Sequence, residues 1–338
     1  MTPRHVKRFL LAAAWCALVA PAHGEESVAA GAIRQNLFST CFASDQEGWV
    51  VGELGRIYHT TDGGKTFSRS DAGTKSAFLS VACLGDGTVV VTGQKGLAMR
   101  SRDKGKSWEN LDTGVKRDLL SVDFASPQVG VAVGDYGTMV RTEDGGQTWA
   151  KIALPTDIVL PEDVAEIVQP GDILLYDIDF ATPEQGWAVG EFGTILNTAD
   201  GGKTWSAQKS PVETTLFGVQ FTDASNGFAT GIEQVLLRTT DGGATWNKVK
   251  VPGHKGFVLG LYDVAVQGKV GWVIGDSGLL LRTTDAGATW QLVELPIKLA
   301  GNWFRGIGLT PTTAGIIVGS EGLILTTQGD QLKERAGS

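Results

Sequence analysis

Hydrophobic and polar positions along this chain recur in a fixed order. In LLSVDFASPQVGVAVGDYGTMVRTEDGGQTW (119–149) an apolar run ends in Phe, and a second apolar run sits between glycines. A third run closes on Thr, and a polar turn then leads to Trp. The same order returns in LLYDIDFATPEQGWAVGEFGTILNTADGGKTW (174–205) and LYDVAVQGKVGWVIGDSGLLLRTTDAGATW (261–290). Each run has strand length, and turn residues separate the runs at intervals of about 8–12 residues, which argues for an all-β chain. Each unit therefore reads as four short strands, the last following the Trp.

The polar turn is the sharpest part of the pattern. It reads HTTDGGKTF (59–67), RSRDKGKSW (100–108), RTEDGGQTW (141–149), NTADGGKTW (197–205), LRTTDGGATW (237–246) and RTTDAGATW (282–290). Its aspartates are Asp62, Asp103, Asp144, Asp200, Asp241 and Asp285, spaced by 41, 41, 56, 41 and 44 residues. A sustained period of this length is the mark of a propeller or solenoid, and four strands per unit make a propeller blade. A seventh copy, FRGIGLTPTTAGIIVGSEGLILTTQGD, keeps three strands and carries Gln328 where the Asp belongs. The prediction is a seven-bladed β-propeller over 25–338, monomeric, with an insertion at 154–172 between blades three and four. The seventh unit lacks a clear fourth strand. Val28–Gln35 is expected to supply it and so tie the last blade to the first, with Gln331–Ala336 as the alternative.

The turn reads as a clasp between the third and fourth strands. Asp241 is placed to accept hydrogen bonds from backbone N–H groups of its own turn, and Gly242 and Gly243 allow positive φ. The flanking Thr hydroxyls bond local backbone, and Trp246 buries its rings between blades. Trp49, Trp187 and Trp272 occupy the second strand.

This turn matches the Asp-box, or bacterial neuraminidase repeat. The whole unit, GWxVGxxGxIxxTxDGGxTW, resembles the photosystem II stability and assembly factor family across about residues 37–328, in six good copies and one degenerate copy. The resemblance implies a seven-bladed propeller without enzymatic activity or cofactor. It further implies a protein exported across a membrane that helps to assemble a membrane protein complex, in photosynthesis or, in non-photosynthetic bacteria, elsewhere.

Composition adds an address. Arg4, Lys7 and Arg8 precede an apolar run, Phe9 to Val19, and then Ala22-His23-Gly24. This is the pattern of a secretory signal peptide over 1–24, cleaved near Gly24, and it places the mature protein in the periplasm of a Gram-negative host. Of 29 Lys and Arg, the three in that leader would be lost, leaving 26 against 37 Asp and Glu. An acidic domain disfavours nucleic acid as a partner. Cys41 and Cys83 remain. An oxidising compartment permits a disulfide between them, but two thiols are no framework and, with so few His, no zinc site.

Catalysis is the competing reading, as a sialidase-like glycoside hydrolase or a carbohydrate-binding propeller. Sialidase chemistry needs an arginine cluster and a Tyr nucleophile with a Glu partner. Tyr58 lies beside a box, and the other tyrosines, Tyr136, Tyr176 and Tyr262, follow the repeat. The acids Glu53, Asp135, Glu191 and Asp276 recur after the VG pair, which suggests loop solvation or a shared polar ring. Partner-binding candidates fall on the two faces of the disc. On the box face, Arg100, Arg141, Arg238 and Arg282 hold one equivalent position, with His59 and Asn197 in two other blades. In the photosynthetic relatives such arginines imply client contact; the alternative is a structural pair with a nearby carbonyl. On the other face lie Trp303, outside the repeat pattern, and Arg305, where the equivalent residues are Tyr176, Phe217 and Tyr262. The insertion adds Ile158, Val159, Leu160, Val164, Ile167 and Val168 among acids, fit either to cover an apolar patch on a partner or to fold down and seal the channel. The insertion face is the expected docking surface for a membrane-protein client.

Overall fold

A computed structural model describes residues 26–28, 33–252, 259–296, 299 and 301–334; the leader expected over 1–24 lies outside them. Seven antiparallel sheets follow one another, and each runs from an inner to an outer strand. In blade one these are Leu37–Phe42, Gly48–Gly52, Arg56–Thr60 and Phe67–Asp71; in blade four they are Leu175–Phe180, Gly186–Gly190, Ile195–Thr198 and Ser206–Gln208. The only α-helical turn among the described residues is Glu162–Ala165, inside the insertion.

The second strand of each blade is buried on both faces, because blades pack sheet against sheet around the ring. Trp49, Trp187 and Trp272 are fully buried there. The glycine before Trp187 has a packing reason: the Phe180 ring lies on Gly186, where a Cβ would come within 2.6 Å of it. Trp187 stacks on Phe221 and donates its indole N–H to Gly242 O at 3.2 Å, so one residue joins blade four to the box of blade five.

Every inner strand carries a bulge between its first and third residues. An extra residue at the same place in all seven blades turns the second side chain toward the axis. It is the feature that builds the channel mouth.

Ring closure differs from the expectation. Gln331–Glu334 forms the fourth strand of blade seven, paired with Ile324–Gln328. The N-terminal residues Glu26–Val28 instead lie antiparallel to Phe67–Asp71, as a fifth strand on the outer edge of blade one. The physical reason is loop length. A tight hairpin at Gly329, with φ +59, closes at far lower entropic cost than a strand from the opposite terminus. Side chains hold the seam between blades seven and one. Asp45 accepts from Thr312 N–H and Oγ1, Asn36 Oδ1 accepts from Glu321 N–H, and Trp303 stacks on Phe38 with ring centroids 6.1 Å apart.

At the next seam Cys41 and Cys83 form a disulfide, with Cα atoms 5.8 Å apart, between the inner strands of blades one and two. The pairing left open by the sequence is thereby made.

Candidate docking face and axial channel

The boxes are clasps. In blade four, Thr198 Oγ1 donates to Asp200 Oδ1 (2.8 Å) and accepts from Gly202 N–H (3.0 Å). Asp200 also receives Thr204 N–H (3.0 Å) and Thr204 Oγ1 (2.6 Å). The same bonds recur around Asp62, Asp103, Asp144, Asp241 and Asp285. Burial opposes charge on Asp200, but the Thr204 and Thr198 bonds outweigh it and pull the carboxyl down to about 2. At Asp285 the bonds from Thr289 and Thr283 dominate, with the same result.

Three of the four box-face arginines bond across to the next blade. Arg100, only 3% exposed, donates to Gly145 O in the next blade's box and pairs with Glu109. Arg141 Nε donates to Gly201 O (2.7 Å) of the next box, and Arg282 donates to Asp330 O (3.0 Å) of the turn that replaces the seventh. Arg238 lies over the Phe228 ring. His59 stacks on Trp49 and meets Glu47, and Asn197 Nδ2 donates to Gly186 O and Thr198 O.

The opposite face carries the turns between second and third strands and the links between blades. Each turn tip holds a non-glycine residue in the left-handed region: Leu54, Lys95, Tyr136, Phe192, Glu233, Ser277 and Glu321. The acids just before these tips are structural. Glu53, Glu191 and Asp276 accept the N–H of Asn36, Leu174 and Gly260, each ahead of its own blade's inner strand. Burial raises Asp135, and neighbouring Asp118 adds to the shift. Of the four exposed large hydrophobics found among the described residues, Leu54 (54% exposed) and Tyr136 (53%) stand at these tips, and Val159 (87%) and Ile167 (82%) lie in the link between blades three and four. Arg117 sits 4.1 Å over the Tyr136 ring.

The insertion splits its apolar residues. Ile158 and Leu160 are buried in a cluster with Trp205 and Ile173, Val168 packs against it, and Val159 and Ile167 face outward. It lies against the flank of blade four and takes no part in lining the channel.

At the channel mouth the second residues of the inner strands form a ring: Phe38, Leu79, Leu120, Tyr176, Phe217, Tyr262 and Arg305. Tyr176, Phe217 and Tyr262 contact one another in turn, and the Arg305 guanidinium lies 5.0 Å from the Tyr262 centroid and 5.8 Å from that of Phe217. Tyr262 donates to Asp276 Oδ1 (2.9 Å), and burial together with that bond pushes its hydroxyl up to about 12.

Beneath the mouth is a set of carboxylates that the sequence reading passed over: Asp123, Asp177, Asp179 and Asp263. Each caps a backbone N–H of the next inner strand: Phe180 (2.7 Å), Val219 (2.9 Å), Phe221 (2.8 Å) and Ile307 (3.0 Å) respectively. Ser39, Ser80 and Gln220 do the same for Val81, Val122 and Val266. The inner strand is an open sheet edge whose N–H groups need partners, and the preceding blade supplies them. Burial pushes Asp123 up to about 7, Asp177 to about 6 and Asp263 to about 8, and raises Asp179 strongly, with Asp123 adding its charge. The available signal was Asp177 and Asp263 where blades one to three carry Ser39, Ser80 and Ser121, and Asp123 and Asp179 where blade five carries Gln220. Among the described residues no group of His, Cys, Asp and Glu is arranged to hold a metal ion.

A family model described as photosynthesis system II assembly factor YCF48 matches residues 26–118, 106–164, 162–213 and 205–336. The chain belongs to this family. A segment of 38 residues is 55% identical to the photosystem II stability/assembly factor HCF136 of Guillardia theta, spanning 11% of this chain and 10% of that protein. Among solved structures, YCF48 bound to D1 peptide superposes with TM-score 0.70 at 19% identity, over 90% of this chain and 95% of that one. YCF48 from Cyanidioschyzon merolae gives 0.69 at 21%, over 90% and 98%. A GH74 xyloglucanase from Xanthomonas campestris gives 0.68 at 15%, over 90% of this chain and 53% of that one, a likeness of fold alone.

Proposed function

We propose that this protein is an exported, monomeric, non-catalytic assembly scaffold. It holds a segment of a membrane protein on the face formed by the turn tips and blade links while the client's complex is built. The observation that carries this reading is the sorting of exposed apolar side chains. Leu54 and Tyr136 stand at turn tips and Val159 and Ile167 in the link between blades three and four, around Trp303, Arg305 and the aromatic ring, while Arg100, Arg141 and Arg282 of the opposite face are bonded to backbone carbonyls of the next blade. Family membership and the D1 peptide bound by a structural relative support a membrane-protein client.

The carbohydrate-hydrolase reading finds little room at the channel mouth. The cavity at the channel mouth is ≈70 Å³, well below the roughly 300–1,000 Å³ of ordinary ligand pockets, and its carboxylates are committed to backbone N–H groups. The test is a crosslinked pull-down from host membranes with wild type and a variant carrying Leu54→Ser, Tyr136→Ser, Val159→Ser and Ile167→Ser. Capture of an integral membrane protein by wild type, lost in the folded variant, is expected. Undiminished capture by the variant, or turnover of a xyloglucan or sialoside, overturns the reading.

A further inference from the structure

The outer strand of blade four, Ser206–Gln208, and insertion residues 157–161 wall a groove of ≈490 Å³. Its apolar surface comes from Ile158, Val159, Leu160, Phe192 and Val212. The strand offers its backbone edge to this groove. Ala207 N–H points outward and is taken by Asp157 Oδ1 at 3.1 Å, a side chain standing where a strand's carbonyl would stand. Lys209 N–H, next in the outward series, is bonded to nothing among the described residues. The molecule already adds a strand to a blade edge once, where residues 26–28 lie on blade one. Charge narrows the occupant further. Asp157, Glu213 and Lys209 line the groove itself, and the insertion 154–172 beside it adds Glu162, Asp163, Glu166 and Asp172 with no Lys or Arg.

We propose that this groove takes an extended client segment that alternates apolar and basic residues. The segment adds as a strand along 207–209, taking Ala207 N–H over from Asp157 and pairing with Lys209 N–H, with its apolar side chains on Val159 and Phe192 and its basic ones toward the released Asp157 and the insertion's other acids. The inference rests on the scaffold reading for the origin of that segment, but the groove's chemistry can be tested alone.

The probe is a short synthetic peptide alternating Val with Lys and Thr, labelled for fluorescence anisotropy and compared with the same peptide carrying Glu in place of Lys. The Lys peptide is expected to bind wild type and to slow amide exchange only in 206–213. Lys209→Pro, which removes the donor, and Val159→Asp should each weaken binding about tenfold or more, while Lys209→Ala, which keeps the N–H, stays within about twofold. Circular dichroism confirms that each variant is folded. Equal binding of Lys and Glu peptides, no binding, an unchanged Lys209→Pro variant, or protection on blade one in place of residues 26–28 overturns the proposal. The two readings separate in the membrane pull-down. If Lys209→Pro keeps the client while the four-serine variant loses it, the groove falls and the scaffold stands.

Discussion

Ten aspartates do the same formal job in two places, and their surroundings make them opposites. The six box aspartates sit at the periphery, where hydroxyl and backbone donors crowd a solvated carboxylate; Asp200 and Asp285 stand at about 2. The four channel aspartates also accept backbone N–H bonds, yet burial and repulsion among them lift Asp123, Asp177 and Asp263 to between about 6 and 8 and raise Asp179 strongly. A hydrogen bond alone does not fix a carboxyl's charge; solvent and neighbouring charges decide it. The periphery uses ionised Asp to hold one turn, while the axis uses Asp to join one blade to the next.

The largest effect should come from the residue that ties box to blade. Trp187→Ala should cost about 3–5 kcal/mol in chemical denaturation, from lost burial and the cavity left behind. A loss under about 1 kcal/mol would mean that the boxes hold themselves without their neighbours.

Next is the seam locked by sulfur. Removing the link in Cys41→Ser/Cys83→Ser opens a loop of 42 residues, and chain entropy sets the loss at about 2–4 kcal/mol. An unchanged midpoint under denaturant would show that axial side chains alone hold blades one and two.

The two sets of aspartates should then give opposite limbs to the pH–stability curve. A raised carboxyl binds its proton more tightly in the folded state, so its contribution is full below the unfolded value near 3.9 and is lost as pH rises through about 6–8. A depressed carboxyl contributes above about 3.9 and is lost as pH falls toward about 2. Melting temperature should therefore peak in mildly acidic buffer. Asp179→Asn, which keeps an acceptor for Phe221 N–H, should flatten the limb above the peak and melt higher than wild type in alkaline buffer. A parallel, unflattened curve would place the charge strain elsewhere.

The smallest effect is expected from a single box. Asp200→Ala should lower the melting temperature modestly and remove part of the acid limb only, leaving the alkaline limb as in wild type. A shift of the alkaline limb would break the separation of rim from axis.

The blades, their number and the clasp were readable because each repeats, so six or seven copies vote on every position. What escaped lay between copies. Cys41 is the fifth residue of its inner strand and Cys83 the sixth of the next, so aligning the repeats sets the two thiols out of register, while the offset of adjacent strands in space brings them together. The role of Asp123 and Asp179 depends on which way a neighbour's N–H points, which no single unit contains. Glu53 and Glu191 act within one unit, but through a contact 17 residues back along the chain, so their recurrence looked like surface chemistry and proved to be capping. Ile158 and Leu160 share a run with Val159, and only the flank of blade four sorts them into inward and outward.

The local hairpin that completes blade seven also fixes how the molecule yields to pulling. The first and last described strands, Glu26–Val28 on blade one and Gln331–Glu334 on blade seven, are both outer strands, and these two blades adjoin. A motor that grips the C-terminus meets a single hairpin strand first, then the rest of blade seven, and each following blade loses its neighbour before its turn comes. Traction from the N-terminal side strips the three-residue ribbon 26–28 and then draws on the inner strand of blade one, where it is arrested at Cys41 until the disulfide is reduced. The disc is therefore mechanically directional: a processive unfoldase dismantles it blade by blade from the C-terminal side, while from the other side it behaves as a locked ratchet.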